Sequence, residues 1–210
     1  MTKVIIFDFW GTLVDSGVRS PIKQVKYILN IKLPFSEYVV RMEKAMMTKN
    51  FSSLREAFIS VCGEFNIEPS GEVLDRLVGM WNKSWMLARP YEDAEEVLRK
   101  LKEKYILVLV SNTDTFSINN VIEKFSLDGY FTKKFFSFEL GTIKTDSEFL
   151  QTVLEELDLE PEECILVGDS ILSDMDAAKN AGIKSILVDR QDSREFPLKI
   201  KSLTDLEPLL

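Results

Sequence analysis

The run Val4-Ile5-Ile6-Phe7 is apolar without interruption and stops at Asp8-Phe9-Trp10-Gly11-Thr12-Leu13-Val14-Asp15. A strand with water on one face alternates apolar and polar residues. An unbroken run suits a strand buried on both faces, as in the middle of a parallel sheet. Open parallel sheets bind ligands in the crevice beyond the carboxyl ends of their strands. Asp8 therefore stands where chemistry is done, and Gly11-Thr12 supply the turn that leaves it there. Taken alone, the same aspartate reads more simply as a loop residue that caps the next helix. The rest of the chain bears on that choice.

Beyond Pro90 the pattern alternates. Residues 93–102, 116–125, 147–157 and 172–181 read as helices, and 105–110, 135–138, 164–167 and 185–188 as strands. Such alternation implies right-handed crossovers and a parallel sheet, hence an α/β core. Residues 16–87 read helical, with no clear strand. Ser20-Pro21 opens one helix through Ile28. Ser36 is placed to cap a second, with Tyr38, Val39, Met42, Ala45 and Met46 on one side. Ser53 starts a third, carrying Leu54, Ala57, Phe58, Val61 and Phe65. Ser70 opens a fourth, whose stripe Val73, Leu74, Leu77, Val78, Trp81 and Trp85 reads as bundle core. The expected organisation is a core of residues 1–15 and 88–210 with an inserted α-helical bundle of residues 16–87. Its hinges would lie near Ser16-Gly17 and Ala88-Pro90. Residues 191–197 read as a loop, and the Leu-rich end is expected to pack back on the core.

Composition excludes several chemistries. Among 210 residues there is no histidine, which removes Ser-His and Cys-His nucleophile pairs and histidine metal sites. Any metal would be a hard cation on carboxylates. A net charge of -8 argues against nucleic acid or an anionic membrane as partner. No basic-then-apolar leader and no apolar run of membrane-spanning length is evident. Cys62 and Cys164, far apart in apolar settings, suit buried free thiols in a reducing cytoplasm. The sequence is compatible with a monomer or a homodimer.

Each core strand ends in residues fit for anion or metal chemistry. The 105–110 strand runs into Ser111-Asn112-Thr113, where a hydroxyl and backbone amides can hold an anionic oxygen. The third strand is followed by Gly141-Thr142-Ile143-Lys144-Thr145-Asp146. A lysine at a helix entry is unfavourable unless an anion sits there. The 164–167 strand ends in Gly168-Asp169-Ser170-Ile171-Leu172-Ser173-Asp174. Two acids in one strand-to-helix turn, with a third on another strand, can assemble a Mg²⁺ site. Singly, each feature has an ordinary role as turn residue, solvated lysine or helix cap. Their joint occurrence, in order and all at strand ends, does not.

In these residues the chain resembles the haloacid dehalogenase-like hydrolase superfamily over nearly its whole length. Asp8 through Thr12 looks like the first motif, Ser111 the second, Lys144 the third, and Gly168-Asp169-Ser170 with Asp174 the fourth. The resemblance implies a modified Rossmann-like core closed by a helical cap. It implies that Asp8 is a nucleophile forming an aspartyl intermediate, that Mg²⁺ is held by Asp8, Asp169, Asp174 and the Trp10 carbonyl, and that the substrate is a small phosphorylated molecule. Ser111 and Lys144, with backbone amides near Phe9, Trp10 and Asn112, would hold the phosphoryl oxygens.

One position departs from the family pattern. Phosphatases of the superfamily carry an aspartate two residues after the nucleophile as general acid and base; here that residue is Trp10, whose indole can serve as neither. General acid-base help is worth about 10²–10⁴-fold. Asp15 and Asp114 are substitutes by proximity, with capping as their competing role. An aromatic residue at this position resembles instead the 2-haloacid dehalogenases, which displace halide with the aspartate and need no metal. Those enzymes have Ser-Asn where this chain has Gly168-Asp169, so the fourth motif favours the phosphatase. Arg19, Arg41 and Arg89 are the cations that a halide or carboxylate could use. A third reading, a binding module of weak catalysis, is opposed by retained Asp8, Lys144 and Asp169.

Overall fold

The computed structural model describes residues 2–210. In chain order the elements are β1 (Val4–Asp8), β2 (Val14–Asp15), α1 (Pro21–Ile28), α2 (Phe35–Met47), α3 (Leu54–Glu64), α4 (Gly71–Met86), β3 (Arg89–Pro90), α5 (Ala94–Leu101), β4 (Ile106–Ser111), α6 (Thr115–Lys124), β5 (Lys133–Phe136), α7 (Ser137–Leu140), α8 (Ser147–Leu157), β6 (Cys164–Gly168), α9 (Ala177–Asn180), β7 (Lys184–Val188) and β8 (Lys199–Ile200). Six strands form one sheet in the order β5-β4-β1-β6-β7-β8. Every pairing in it is parallel.

The opening apolar run explains the layering. Ile5 and Phe7 face one hydrophobic cluster with Leu107, Leu109, Ile165 and Val167. Val4 and Ile6 face another with Val108, Val110, Cys164 and Leu166. Both faces of β1 are thus covered, as helices on both sides of a parallel sheet require. Asp8 pairs with Val110, Phe7 with Val167, and Ser111 with Phe136. This register brings Asp8, Ser111 and Gly168 to one edge of the sheet. Leu203 and Leu206 lie in the first of these clusters, so the C-terminal segment packs back on the core.

Helices α1 to α4 enclose a third cluster of their own, built on Tyr38, Met42, Met46, Phe58, Val61, Leu77 and Trp81. Ser53 and Ser70 cap α3 and α4, accepting from the Glu56 and Val73 amides at 3.2 and 3.3 Å. The two remaining caps differ from expectation. Ser20 adopts φ 47° and makes no cap bond, the start being set instead by Pro21. Ser36 lies inside α2, which begins at Phe35 after Pro34.

Other differences are local. The third strand spans Lys133–Phe136 rather than 135–138, because Ser137 and Phe138 turn into the short helix α7. The helix expected over 172–181 starts as a π-helical turn, Ile171–Asp176, before α9. Trp85, from the stripe assigned to the bundle, packs on the sheet's cluster, while Trp81 belongs to the bundle's. Where the chain leaves and re-enters the sheet layer, β2 and β3 form a two-residue antiparallel ribbon that periodicity cannot reveal. Gly17 lies there against Leu87, with no room for a Cβ. Cys62 and Cys164 are free and buried. Among the described residues no helix is long and apolar enough to cross a membrane.

Candidate active site

Three strand ends and the turns that follow them build one acidic centre. After β1 the chain reverses tightly: the Leu13 and Val14 amides both donate to the Phe9 carbonyl at 3.0 Å, and not to that of Trp10. The reversal needs Gly11 at φ 84°. A Cβ there would lie 2.5 Å from Asp169 Oδ2, so only glycine also admits Asp169 to the centre. Gly168 plays the same part for Asp174, whose carboxyl occupies the place of a Cβ. The π-helical turn after β6 folds Asp174 back so that its Oδ2 accepts from the Ser170 amide at 2.9 Å. One carboxylate oxygen each from Asp8, Asp169 and Asp174 lies within 4.8 Å of the others.

Lys144 is the cation at the middle. Its Nζ donates to Asp8 Oδ1 at 2.6 Å and also to Asp174. Thr12 donates to the other Asp8 oxygen at 2.8 Å. Lys144 stands in the turn before α8 and is 3% exposed. Its partners are these two carboxylates rather than an anion at the helix entry. Burial lowers the ammonium's proton affinity, but Asp174 and Asp8 overcome it and raise it above the ordinary value. One lysine cannot satisfy three acids. Burial, with Asp8 and Asp174 beside it, pushes Asp169 up to about 8, and burial likewise raises Asp8 against the pull of Lys144. Such a surplus of oxygen ligands and negative charge fits a hard divalent cation.

The family model described as haloacid dehalogenase-like hydrolase matches residues 2–182. The chain belongs to this family, and it is an enzyme of the hydrolase class. It is 25% identical to a glyceraldehyde 3-phosphate phosphatase of Pyrococcus furiosus, over 97% of this chain and 87% of that protein. It is 26% identical to a phosphoglycolate phosphatase of Aquifex aeolicus, over 88% of this chain and 84% of the other. The fold also matches a 2-haloacid dehalogenase structure from Pseudomonas syringae pv. Tomato DC3000 at TM-score 0.65 and 18% identity, covering 100% and 98% of the two chains.

The remaining sequence candidates lie at varying distances from this centre. Ser111 is buried, and its hydroxyl makes only a 3.5 Å contact with the Asn112 carbonyl. Asn112 accepts the Lys144 amide at 2.9 Å through Oδ1. The Phe9 side chain is fully buried in the sheet's cluster, which leaves only its backbone for a ligand. Trp10 lines the cleft, and its Nε1 donates to Thr113 at 3.2 Å. Asp114 caps α6 and accepts from Trp81 Nε1 at 2.9 Å. Asp15 is exposed on β2, within 3.5 Å of the Tyr91 hydroxyl. Arg41 is partly buried and paired with Glu64 at 2.7 Å. Arg89 is exposed at β3, and Arg19 is exposed at the cleft rim.

Two cleft residues went unforeseen in the sequence. Thr145 lines the cleft beside Lys144, and its buried Oγ1 has no hydrogen-bond partner. Glu43, on α2, is 8% exposed and accepts from Asn112 Nδ2 at 2.8 Å. Its signal was available: Val39, Glu43 and Met47 follow one another at helical spacing, and all three line the cleft. An acid in an apolar row is worth explaining wherever it occurs. The cleft between the four-helix unit and the sheet edge holds about 800 Å³.

Proposed function

We propose that this chain is a Mg²⁺-dependent phosphatase of small phosphorylated metabolites, working through an aspartyl-phosphate on Asp8. The observation that carries the reading is Asp169, a third acid in a centre that already has more carboxylates than cations. A nucleophile that attacked carbon would gain nothing from it. The relatives named as phosphatases support the same reading.

In this reading Thr12 and Lys144 fix both Asp8 oxygens, so the carboxylate meets the substrate in one orientation. Lys144 offsets the charge that builds up as the carboxylate approaches a phosphoryl group. The Ser111 and Thr145 hydroxyls, neither held by a good protein bond, are available to donate to phosphoryl oxygens. A Mg²⁺ ion held by Asp8, Asp169 and the Trp10 carbonyl, with Asp174 as further ligand or as orienter of Lys144, would neutralise nucleophile and phosphate together. Asp8 displaces the leaving oxygen from phosphorus. Water then attacks the acyl phosphate, inorganic phosphate departs, and the carboxylate is restored. The four-helix unit acts as a cap whose cleft wall selects the substrate, moving about the β2–β3 ribbon.

The test is product release from an aryl phosphate and from 2-chloropropionate, each with Mg²⁺ and with EDTA. Phosphate release abolished by EDTA is expected. Chloride release indifferent to EDTA would transfer the chain to the dehalogenases, with Trp10 the better guide than Asp169.

A further inference from the structure

We propose that Glu43, carried by the helical unit, is the general acid and base that the chain lacks at Trp10. The proposal rests on the phosphatase reading and adds a catalytic residue to it. The neighbouring candidates are otherwise engaged. The Trp10 indole is turned to Thr113. Asp114 is held by the Trp81 indole and by the Ser117 amide and hydroxyl, at 2.8–2.9 Å. Asp15 also borders the cleft, but it is exposed to water on its ribbon and contacts the Tyr91 hydroxyl at 3.5 Å.

Glu43 differs from both. Asn112 holds Oε2, and the same Asn112 takes the backbone amide of Lys144, so the glutamate is tied to the residue after Ser111. Among the described residues Oε1 has no hydrogen-bond partner, and the side chain lines the same cleft as Asp8. Placement then follows from the chemistry. Attacking and leaving oxygens lie roughly in line across phosphorus. Asp8 attacks from the sheet edge, so the leaving oxygen points away from the sheet, towards the helical unit and α2.

The charge state suits an acid. The titratable groups around Glu43 are Asp8, Asp174 and Lys144 on the sheet side and Tyr38 within its own helical unit, together with the Asn112 amide. Burial pushes Glu43 up to about 7; Asn112 and Lys144 oppose this, and Asp174 and Asp8 add to it. The adjacent Lys44 does not neutralise it, being paired with Asp146 at 2.7 Å. A group half-protonated near neutrality can give a proton and take one back.

The step balances. As the Asp8–phosphorus bond forms and the phosphorus–leaving-oxygen bond breaks, protonated Glu43 gives its proton to the departing oxygen. The resulting carboxylate accepts a proton from the water that attacks the acyl phosphate. Glu43 ends protonated and Asp8 free.

The experiment is a leaving-group series, from 4-nitrophenyl phosphate to simple alkyl phosphates, in Mg²⁺, for wild type and Glu43→Gln. The expected loss in kcat/KM is about 10²–10⁴-fold on alkyl phosphates and under about tenfold on the nitrophenyl ester, which needs no acid. In wild type, alkyl-phosphate turnover should fall as pH rises through about 7, where the acid loses its proton, and the variant should lack that limb. Wild type alone supplies a second measurement: dependence on leaving-group pKa should steepen from pH 6 to pH 8.5. Equal loss across the series, no loss, or a wild-type dependence that is the same at both pH values overturns the proposal and leaves Glu43 a wall or anchoring residue. Absence of phosphate release from every wild-type reaction overturns the phosphatase reading and this proposal together.

Discussion

Two acidic clusters lie near the strand ends of this sheet, and they are built on opposite terms. Asp93, ahead of α5, accepts from the two terminal Arg190 guanidinium nitrogens at 2.9 and 3.1 Å, from the Ser202 hydroxyl at 2.7 Å and from the Leu203 amide at 2.8 Å. Burial would raise its pKa, but these four bonds outweigh it and hold the carboxyl below its usual range. Arg190 also donates to the Thr12 carbonyl at 2.9 Å and lies 3.6 Å over the Tyr91 ring. Here one acid meets one base, and every bond ties distant parts of the chain together. Around Lys144, three acids meet one base, and Asp169 moves in the opposite direction, to about 8. A compensated cluster is a structural joint. An uncompensated one costs stability and awaits something cationic.

Substitution should separate the two. Asp8→Asn is expected to reduce turnover on the order of 10⁴-fold or more, since it removes the proposed nucleophile. It should leave thermal stability level or slightly higher, because one of three crowded carboxylates is gone. Asp93→Ala should do the reverse. Stranding a largely buried guanidinium and two other donors, the Ser202 hydroxyl and the Leu203 amide, is expected to cost about 2–3 kcal/mol, or roughly 5–10 °C for a chain of this size. Turnover per folded molecule should change by less than about tenfold. Thermal unfolding and steady-state assays on both variants decide the matter; a strongly destabilised Asp8→Asn would remove the distinction between site and joint.

Adding the cation tests the surplus directly. At about 100 times its dissociation constant, Mg²⁺ should stabilise by roughly 2.7 kcal/mol, and the melting temperature should rise by about 5–10 °C. The sign with pH follows from Asp169. Its folded pKa is raised, so between about pH 4 and 8 the folded chain holds a proton that the unfolded chain releases, and metal-free stability falls as pH rises. A cation must displace that proton at pH 6 and much less of it at pH 8. The Mg²⁺-induced rise should therefore be larger at pH 8, and Asp169→Asn should remove most of it. A rise independent of pH, or retained in Asp169→Asn, would mean that the ion binds elsewhere.

The same contrast governs what was legible in the sequence. The residues of the acidic centre announce themselves because each ends a strand or lies in the segment that leads from a strand into the next long helix, and a parallel sheet gathers those segments by its topology alone. Asp8, Ser111, Lys144, Asp169 and Asp174 needed no knowledge of tertiary contacts. The Asp93–Arg190 joint spans 97 residues of sequence and has no local signature. Glu43 reaches Asn112 across 69, from an element whose docking no periodicity specifies. Boundaries failed where apolar runs outlast the element: Phe135 and Phe136 close a strand, while Phe138 already belongs to the next helix. The strand β8 and the β2–β3 ribbon are two residues each, too short to show a period.

The smallest expected effect lies between the two extremes of burial. Lys44 and Asp146 form an ion pair at 2.7 Å that joins α2 to the turn before α8, with 48% and 29% of their side chains exposed. An exposed pair gains little in high dielectric, is screened by salt and is entropically costly to hold. Lys44→Ala should therefore shift the melting temperature by less than about 2 °C and leave the pH profile of turnover in place, although Glu43 is the next residue. The buried indole of Trp81 on Asp114 and Ser117 already joins the helical unit to α6, and it is not open to screening. A loss larger than this, and one that salt reproduces in wild type, would instead put the closure of the helical unit on the exposed pair.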